Sequence, residues 1–199
     1  RMMLRVVDWL MVYLSKHNLV PEEEREVYAY SLEVALSAAI FWLMMAALTL
    51  IFGQIGPTLI YLGVFFFLRS AIGGYHASTH LRCSAVSVVV YLGFIWCYTH
   101  LSEGTAWIVL LSGAAVLLIF CFAPVDHPNK PFSTAERAHY RQQSCGRAGV
   151  LILLQVLLLV SGWTSMAFCV AFGAAQAAVF MFIAYLMQKG GETYGSAVS

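Results

Sequence analysis

Between residues 69 and 83 the sequence reads RSAIGGYHASTHLRC, a segment holding one thiol, two imidazoles and two guanidinium groups. An imidazole beside a thiol supplies a thiolate nucleophile and a general base, the minimum for cysteine-type acyl transfer. Positive charge from Arg69 or Arg82 would lower the thiol pKa further. If the chain after Gly74 is helical, His76, His80 and Cys83 share one face, at spacings of four and three. Spacing leaves His76 and His80 as rival bases for Cys83. Gly73 and Gly74 are suited to stopping a preceding helix and letting the chain turn. A metal held by His76, His80 and Cys83 lacks a fourth ligand and a second His/Cys cluster, so neither metal nor cofactor is expected. No acidic residue lies between Glu33 and Glu103. A group to orient the imidazole must therefore come from Asp126 or Glu136 in a later loop, or from Ser87 or a backbone carbonyl. The expectation is a Cys–His dyad.

The elements that must position these groups are membrane helices. Of the 199 residues, 61% are hydrophobic and 11% charged, whereas soluble domains carry about a quarter charged residues. The apolar residues form long blocks, which predicts an all-α, polytopic integral membrane protein, a single membrane domain over 1–199. Residues 1–30 read as an amphipathic interfacial helix and turn, with Trp9 and Tyr13 near the headgroups. A transmembrane bundle over 32–187 follows, with six spans near 32–53, 57–69, 84–101, 105–123, 148–163 and 165–187. The stretches 69–83 and 124–147 read as loops on the cytoplasmic side. Only about 12 apolar residues precede Arg69 in the second span, roughly 18 Å of helix against a core of about 30 Å. Arg69 is thus expected to dip below the headgroups, where an ionisable group is a functional candidate.

With cytoplasmic N- and C-termini, six spans put all 11 Lys and Arg residues on the cytoplasmic side, as the positive-inside rule requires. The outer turns then carry only Glu103. The lipid bilayer is one expected partner, and the net charge of +1 without a basic run argues against nucleic acid. Gln155 and Gln176, inside the last two spans, read as interhelical hydrogen-bonding groups. Gly173, Ala174, Ala177 and Ala178 suit a close helix contact, either within one chain or in a homodimer.

The pattern R-x3-G-G-x-H-x6-C, formed by Arg69, Gly73, Gly74, His76 and Cys83, resembles the signature of the AgrB (accessory gene regulator B) family. The later APVDHPNKP, residues 123–131, resembles that family's cytoplasmic loop, and length and hydropathy agree. The resemblance implies a membrane cysteine endopeptidase of a Gram-positive plasma membrane. Such an enzyme cleaves an AgrD-type propeptide through a Cys thioester and cyclises it to a thiolactone or lactone quorum-sensing signal. It implies Cys83 as nucleophile and His76 as base, with Arg69, Gly73, Gly74, His80 and Lys130 as supporting or substrate-binding positions. Lys130 stands alone where many relatives carry a run of basic residues. The other reading of the span pattern is a transporter or exporter of a small peptide; against it stand the short chain and the lack of an inverted repeat.

Overall fold

The computed structural model describes residues 25–73, 80–125 and 132–195, and all regular structure in them is α-helical. The helices are α1 (Arg25–Phe52), α2 (Ile55–Ile72), α3 (His80–Leu101), α4 (Thr105–Phe122), α5 (Thr134–Val160) and α6 (Thr164–Gly195). The expected N-terminal interfacial helix lies outside the described residues. Four stretches are long and apolar enough to cross a membrane: α2, α4, α5 and Thr164–Lys189 of α6. Shorter apolar stretches, Ala38–Phe52 and Ala85–Leu101, lie in α1 and α3, where two of the six expected spans were placed. Large apolar side chains are left open along these helices, including Leu43, Ile51, Leu59, Val109, Leu117 and Leu153. In water such surface would be an aggregation liability; in hydrocarbon it is simply solvated.

The chain forms two compact units. The first comprises residues 1–53 and 78–88, and the second comprises 54–77 and 89–199. The second is a bundle in which α6 packs against α4, α2 and α5. Two lipid-bathed helices gain nothing from hiding leucine, so their attraction rests on close packing and on polar groups. Both are present. Ala167, Ala171, Ala174, Ala177 and Ala178 of α6 are buried, and Gly173 lies so close to α2 that an added Cβ would stand 2.8 Å from the Tyr61 carbonyl oxygen. The small-residue stripe is therefore consumed within one chain, which removes it as a ground for a homodimer.

The two glutamines make the interhelical bonds expected of them. Ser112 of α4 donates to Oε1 of Gln155 at 2.8 Å, and Tyr61 of α2 donates to Gln176 of α6. Above the second bond the Tyr61 ring stacks on Phe94, with centroids 4.2 Å apart. Thr58 and Tyr91 share a buried hydrogen bond of 2.9 Å nearby.

One expectation is corrected. Residues 134–147, read as part of a loop, are the first half of α5. Their polarity signals a helix that outruns the bilayer: 27 residues are about 40 Å long, against a core of about 30 Å. Ser133 starts α5 with a capping box. Its hydroxyl accepts from the Glu136 amide while the Glu136 carboxylate accepts from the Ser133 amide. The boundaries also shift elsewhere, since α2 runs on to Ile72 and α3 begins at His80 rather than at 84.

Replacing Gly173 by Leu drives a side chain into Tyr61 and Val64 and should cost about 1–3 kcal/mol or more. Gly63→Ala, which meets nothing within 4 Å, should be neutral or slightly stabilising. Thermal unfolding in detergent checks the pair, and equal midpoints for the two variants would contradict this account of the α2–α6 contact.

Candidate functional site

The segment bearing the candidate nucleophile begins where α2 stops, and α2 stops at glycine for a visible reason. Gly73 has φ 74° and ψ −159°, a conformation almost exclusive to glycine. A Cβ there would lie 2.5 Å from the Val125 carbonyl oxygen. Two independent constraints thus demand glycine, one from the dihedral angles and one from the neighbouring chain. The neighbour is the start of the second connecting stretch, Ala123-Pro124-Val125, whose Ala123–Pro124 bond is cis. Its Val125 amide donates to the Ile72 carbonyl at 3.1 Å.

A helix end leaves four carbonyls unanswered, and among the described residues three of the last four find a donor. Gly73 N–H returns to Arg69 O at 3.2 Å, and Val125 N–H takes Ile72 O. The hydroxyl of Ser144, fully buried on α5, lies 3.2 Å from Ala71 O and 2.7 Å from Tyr140 O. One turn along α5, Arg147 donates through Nη1 to Phe67 O and to the Ser70 hydroxyl. Its guanidinium lies 5.0 Å from the centre of the Phe67 ring.

Arg69 sits half-buried in the last turn of α2, with its guanidinium carbon 5.7 Å from the centre of the Phe65 ring. Arg141 donates to Phe120 O in the last turn of α4 at 3.3 Å. Arg69, Arg141 and Arg147 therefore gather at the end of the second unit where α2 and α4 stop. Glu103 lies at the opposite end, accepting from the hydroxyls of Thr164 and Ser165 in the first turn of α6. That carboxylate at a helix N-terminus suits the helix dipole. These three arginines and Glu103 thus lie at opposite ends of the unit.

Of the residues singled out from sequence, Arg69 and Gly73 are thus placed and lie one helical turn apart. His80 and Cys83 are backbone neighbours on one face of α3, three residues apart in its first turn; the placement of their side chains lies outside the described residues. Gly74, His76, Lys130 and Asp126 also lie outside them. Glu136, considered above as a partner for the imidazole, is engaged in capping its own helix. Ser144, Arg147 and Val125 were not recognised from sequence. The signal for Ser144 was its spacing to Ala148, Leu151 and Gln155, the other buried positions of α5, but this is visible only once 134–147 is read as helix.

Comparison with known proteins identifies the chain. Residues 7–188 match the family model described as Accessory gene regulator B. The chain belongs to the AgrB family. Protein FsrB of Enterococcus faecalis is 26% identical over 156 residues, covering 77% of this chain and 64% of that protein. The chain thus spans just under two thirds of FsrB. Accessory gene regulator protein B of Staphylococcus lugdunensis is 24% identical over 148 residues, covering 74% of this chain and 76% of its own length. A putative AgrB-like protein of Listeria monocytogenes is 26% identical over 151 residues, covering 75% and 73% of the two chains. No solved structure matches.

Gly73→Ala should loosen the join between the two connecting stretches by about 2–3 kcal/mol, from the dihedral penalty together with the displaced Val125 carbonyl. The readout is amide exchange at Val125, expected to quicken roughly 30- to 150-fold. Gly149→Ala, which meets nothing within 4 Å, should leave it unchanged. Unaltered exchange in Gly73→Ala would mean that the glycine does not hold this contact.

Proposed function

We propose that the chain is a membrane-embedded cysteine endopeptidase and acyl transferase that cleaves an AgrD-type propeptide and closes it into a thiolactone or lactone signal. The observation that carries the reading is AgrB-family membership over 7–188 in a chain that holds R-x3-G-G-x-H-x6-C from Arg69 to Cys83. The glycine-only conformation of Gly73 supports it, because it gives the first glycine of that pattern a structural duty. In this reading the chain is a multi-pass protein of a Gram-positive plasma membrane, with both termini cytoplasmic. The cluster of Arg69, Arg141 and Arg147 then marks the cytoplasmic end, and the propeptide arrives from the inner leaflet.

Chemically, the Cys83 thiolate adds to the carbonyl carbon of the scissile peptide bond. The C–N bond then breaks as the His76 imidazolium gives its proton to the leaving nitrogen. The C-terminal tail departs as a free amine and the acyl part remains as a thioester on Cys83. A thiol or hydroxyl within that acyl part next loses its proton to His76 and attacks the thioester, and Cys83 leaves as thiolate. The first step climbs from an amide to a thioester and is drawn forward by loss of the tail. The second, when the attacking group is a thiol, exchanges one thioester for another at little cost. Holding the two sulfurs in line removes up to roughly 7–11 kcal/mol of barrier from ring closure. Water would compete for the thioester, so a membrane-edge site that excludes it protects the intermediate.

Co-expression with a candidate propeptide, followed by mass spectrometry, tests the reading. Wild type should give a shortened cyclic product, and Cys83→Ala should give none. His76→Ala should lose about 10²–10⁴-fold in rate, with His80→Ala affected far less. Processing by Cys83→Ala would remove Cys83 as the nucleophile and bring the carrier and metal-site readings forward.

A further inference from the structure

Arg147 meets the end of α2 through a single nitrogen. Both of its protein acceptors, Phe67 O and the Ser70 hydroxyl, are reached from Nη1, and its other contact is the face of the Phe67 ring. A guanidinium carries five N–H groups. Three of them therefore stay on Nε and Nη2, among them the parallel pair that can grip a phosphate at two oxygens. Arg147 is half-buried with Ser70 exposed beside it, and among the described residues no carboxylate pairs with it.

The charge around it is of one sign. Arg69 and Arg141 lie at the same end of the unit, and Glu103 is at the other. Glu136, the acidic residue of α5, caps its own helix, about 16 Å of helix away from Arg147. A guanidinium at the edge of a hydrocarbon layer needs a counter-charge, and here the folded chain supplies none. Immediately beyond Arg147 the surface turns apolar. Val150 and Leu154, three and seven residues on, share its side of α5, and both are exposed, as is Phe67 of α2. An anion that fits this surface carries hydrocarbon with it.

We propose that Arg147 holds the phosphate of an anionic phospholipid, one acyl chain of which lies along Phe67, Val150 and Leu154. Nε and Nη2 donate to two phosphate oxygens, while Nη1 stays on α2. Arg69 and Arg141 repel a choline or ethanolamine cation, so headgroups without an amine are preferred. The apolar stripe distinguishes a lipid from a free phosphate, which would gain nothing from it.

The test titrates the purified full chain in detergent micelles with phosphatidylglycerol or phosphatidylcholine and counts bound lipids by native mass spectrometry. Wild type, Arg147→Lys, Arg147→Met and Arg141→Gln are compared, with the thermal midpoint of each measured alongside. Wild type should take its first phosphatidylglycerol about five-fold more tightly than phosphatidylcholine, the effect of one arginine near an anionic headgroup. Phosphatidylglycerol should also raise its thermal midpoint, as a ligand of the folded state does. Arg147→Met should lose the preference. Arg141→Gln, which removes the same charge from the same end, should keep most of it. Arg147→Lys keeps the charge without the fork, and its preference should fall at least about two-fold. Excess glycerol phosphate should not displace the bound lipid.

Equal losses in Arg141→Gln and Arg147→Met would mean attraction to overall charge and overturn the site. An undiminished preference in the Arg147 variants overturns it too, and if Arg147→Met does not fold, Arg147→Lys decides alone. Displacement by glycerol phosphate overturns the lipid as occupant.

Discussion

The structure of the second unit turns on one backbone contact, the passage of Val125 across Gly73. The carbonyl of Val125 occupies the space that a side chain at 73 would need, and its amide closes the ladder of α2 by bonding to Ile72. An unanswered carbonyl is costly here because Ala71 and Ile72 are buried away from water. Burying the end of α2 among other helices is therefore permitted only because the neighbouring chain supplies donors. The rest follows from that requirement: a glycine where α2 stops, Val125 alongside it, and a buried hydroxyl from α5 to take the next carbonyl back.

Much of this was legible from the sequence and some was not, for identifiable reasons. The membrane class, the helical content, the halt of α2 at the glycine pair and the bonding of Gln155 and Gln176 all follow from composition and residue type. Hydropathy reads lipid contact, so it missed the polar half of α5. Residues 134–147 form helix because Ser133 and Glu136 cap it and nothing before Val160 breaks it, a matter of local propensity. That single error hid Ser144 and Arg147, whose role depends on the face they share with Ala148 and Leu151. Arg69 and Gly73 of the motif were placed by the fold, whereas the chemistry assigned to His76 and Cys83 still rests on residue type and family likeness.

The two ends of the second unit are held by different means. At the Glu103 end, one carboxylate binds two hydroxyls at the head of α6, a compact tie between adjacent helices. At the other end, Arg141 and Arg147 reach backbone carbonyls of α4 and α2. Arginine suits that task because its charge persists at any ordinary pH and its several N–H groups can serve more than one acceptor. Arg141 and Arg147 thus fasten helix ends as well as carrying positive charge.

The Val125–Ile72 bond also has a consequence for the order of events at the ribosome. Residue 72 is made about 50 residues before its partner at 125, and about 75 before Arg147. At roughly 5–20 residues per second, that is a wait of about 4–15 s. During this interval the nascent chain already contains the His76–Cys83 segment but not the groups that hold α2 in place. The thiol is thus synthesised well before the framework around the end of α2 is complete. The end of α2 therefore gains its last hydrogen-bond partners only once α5 has been made.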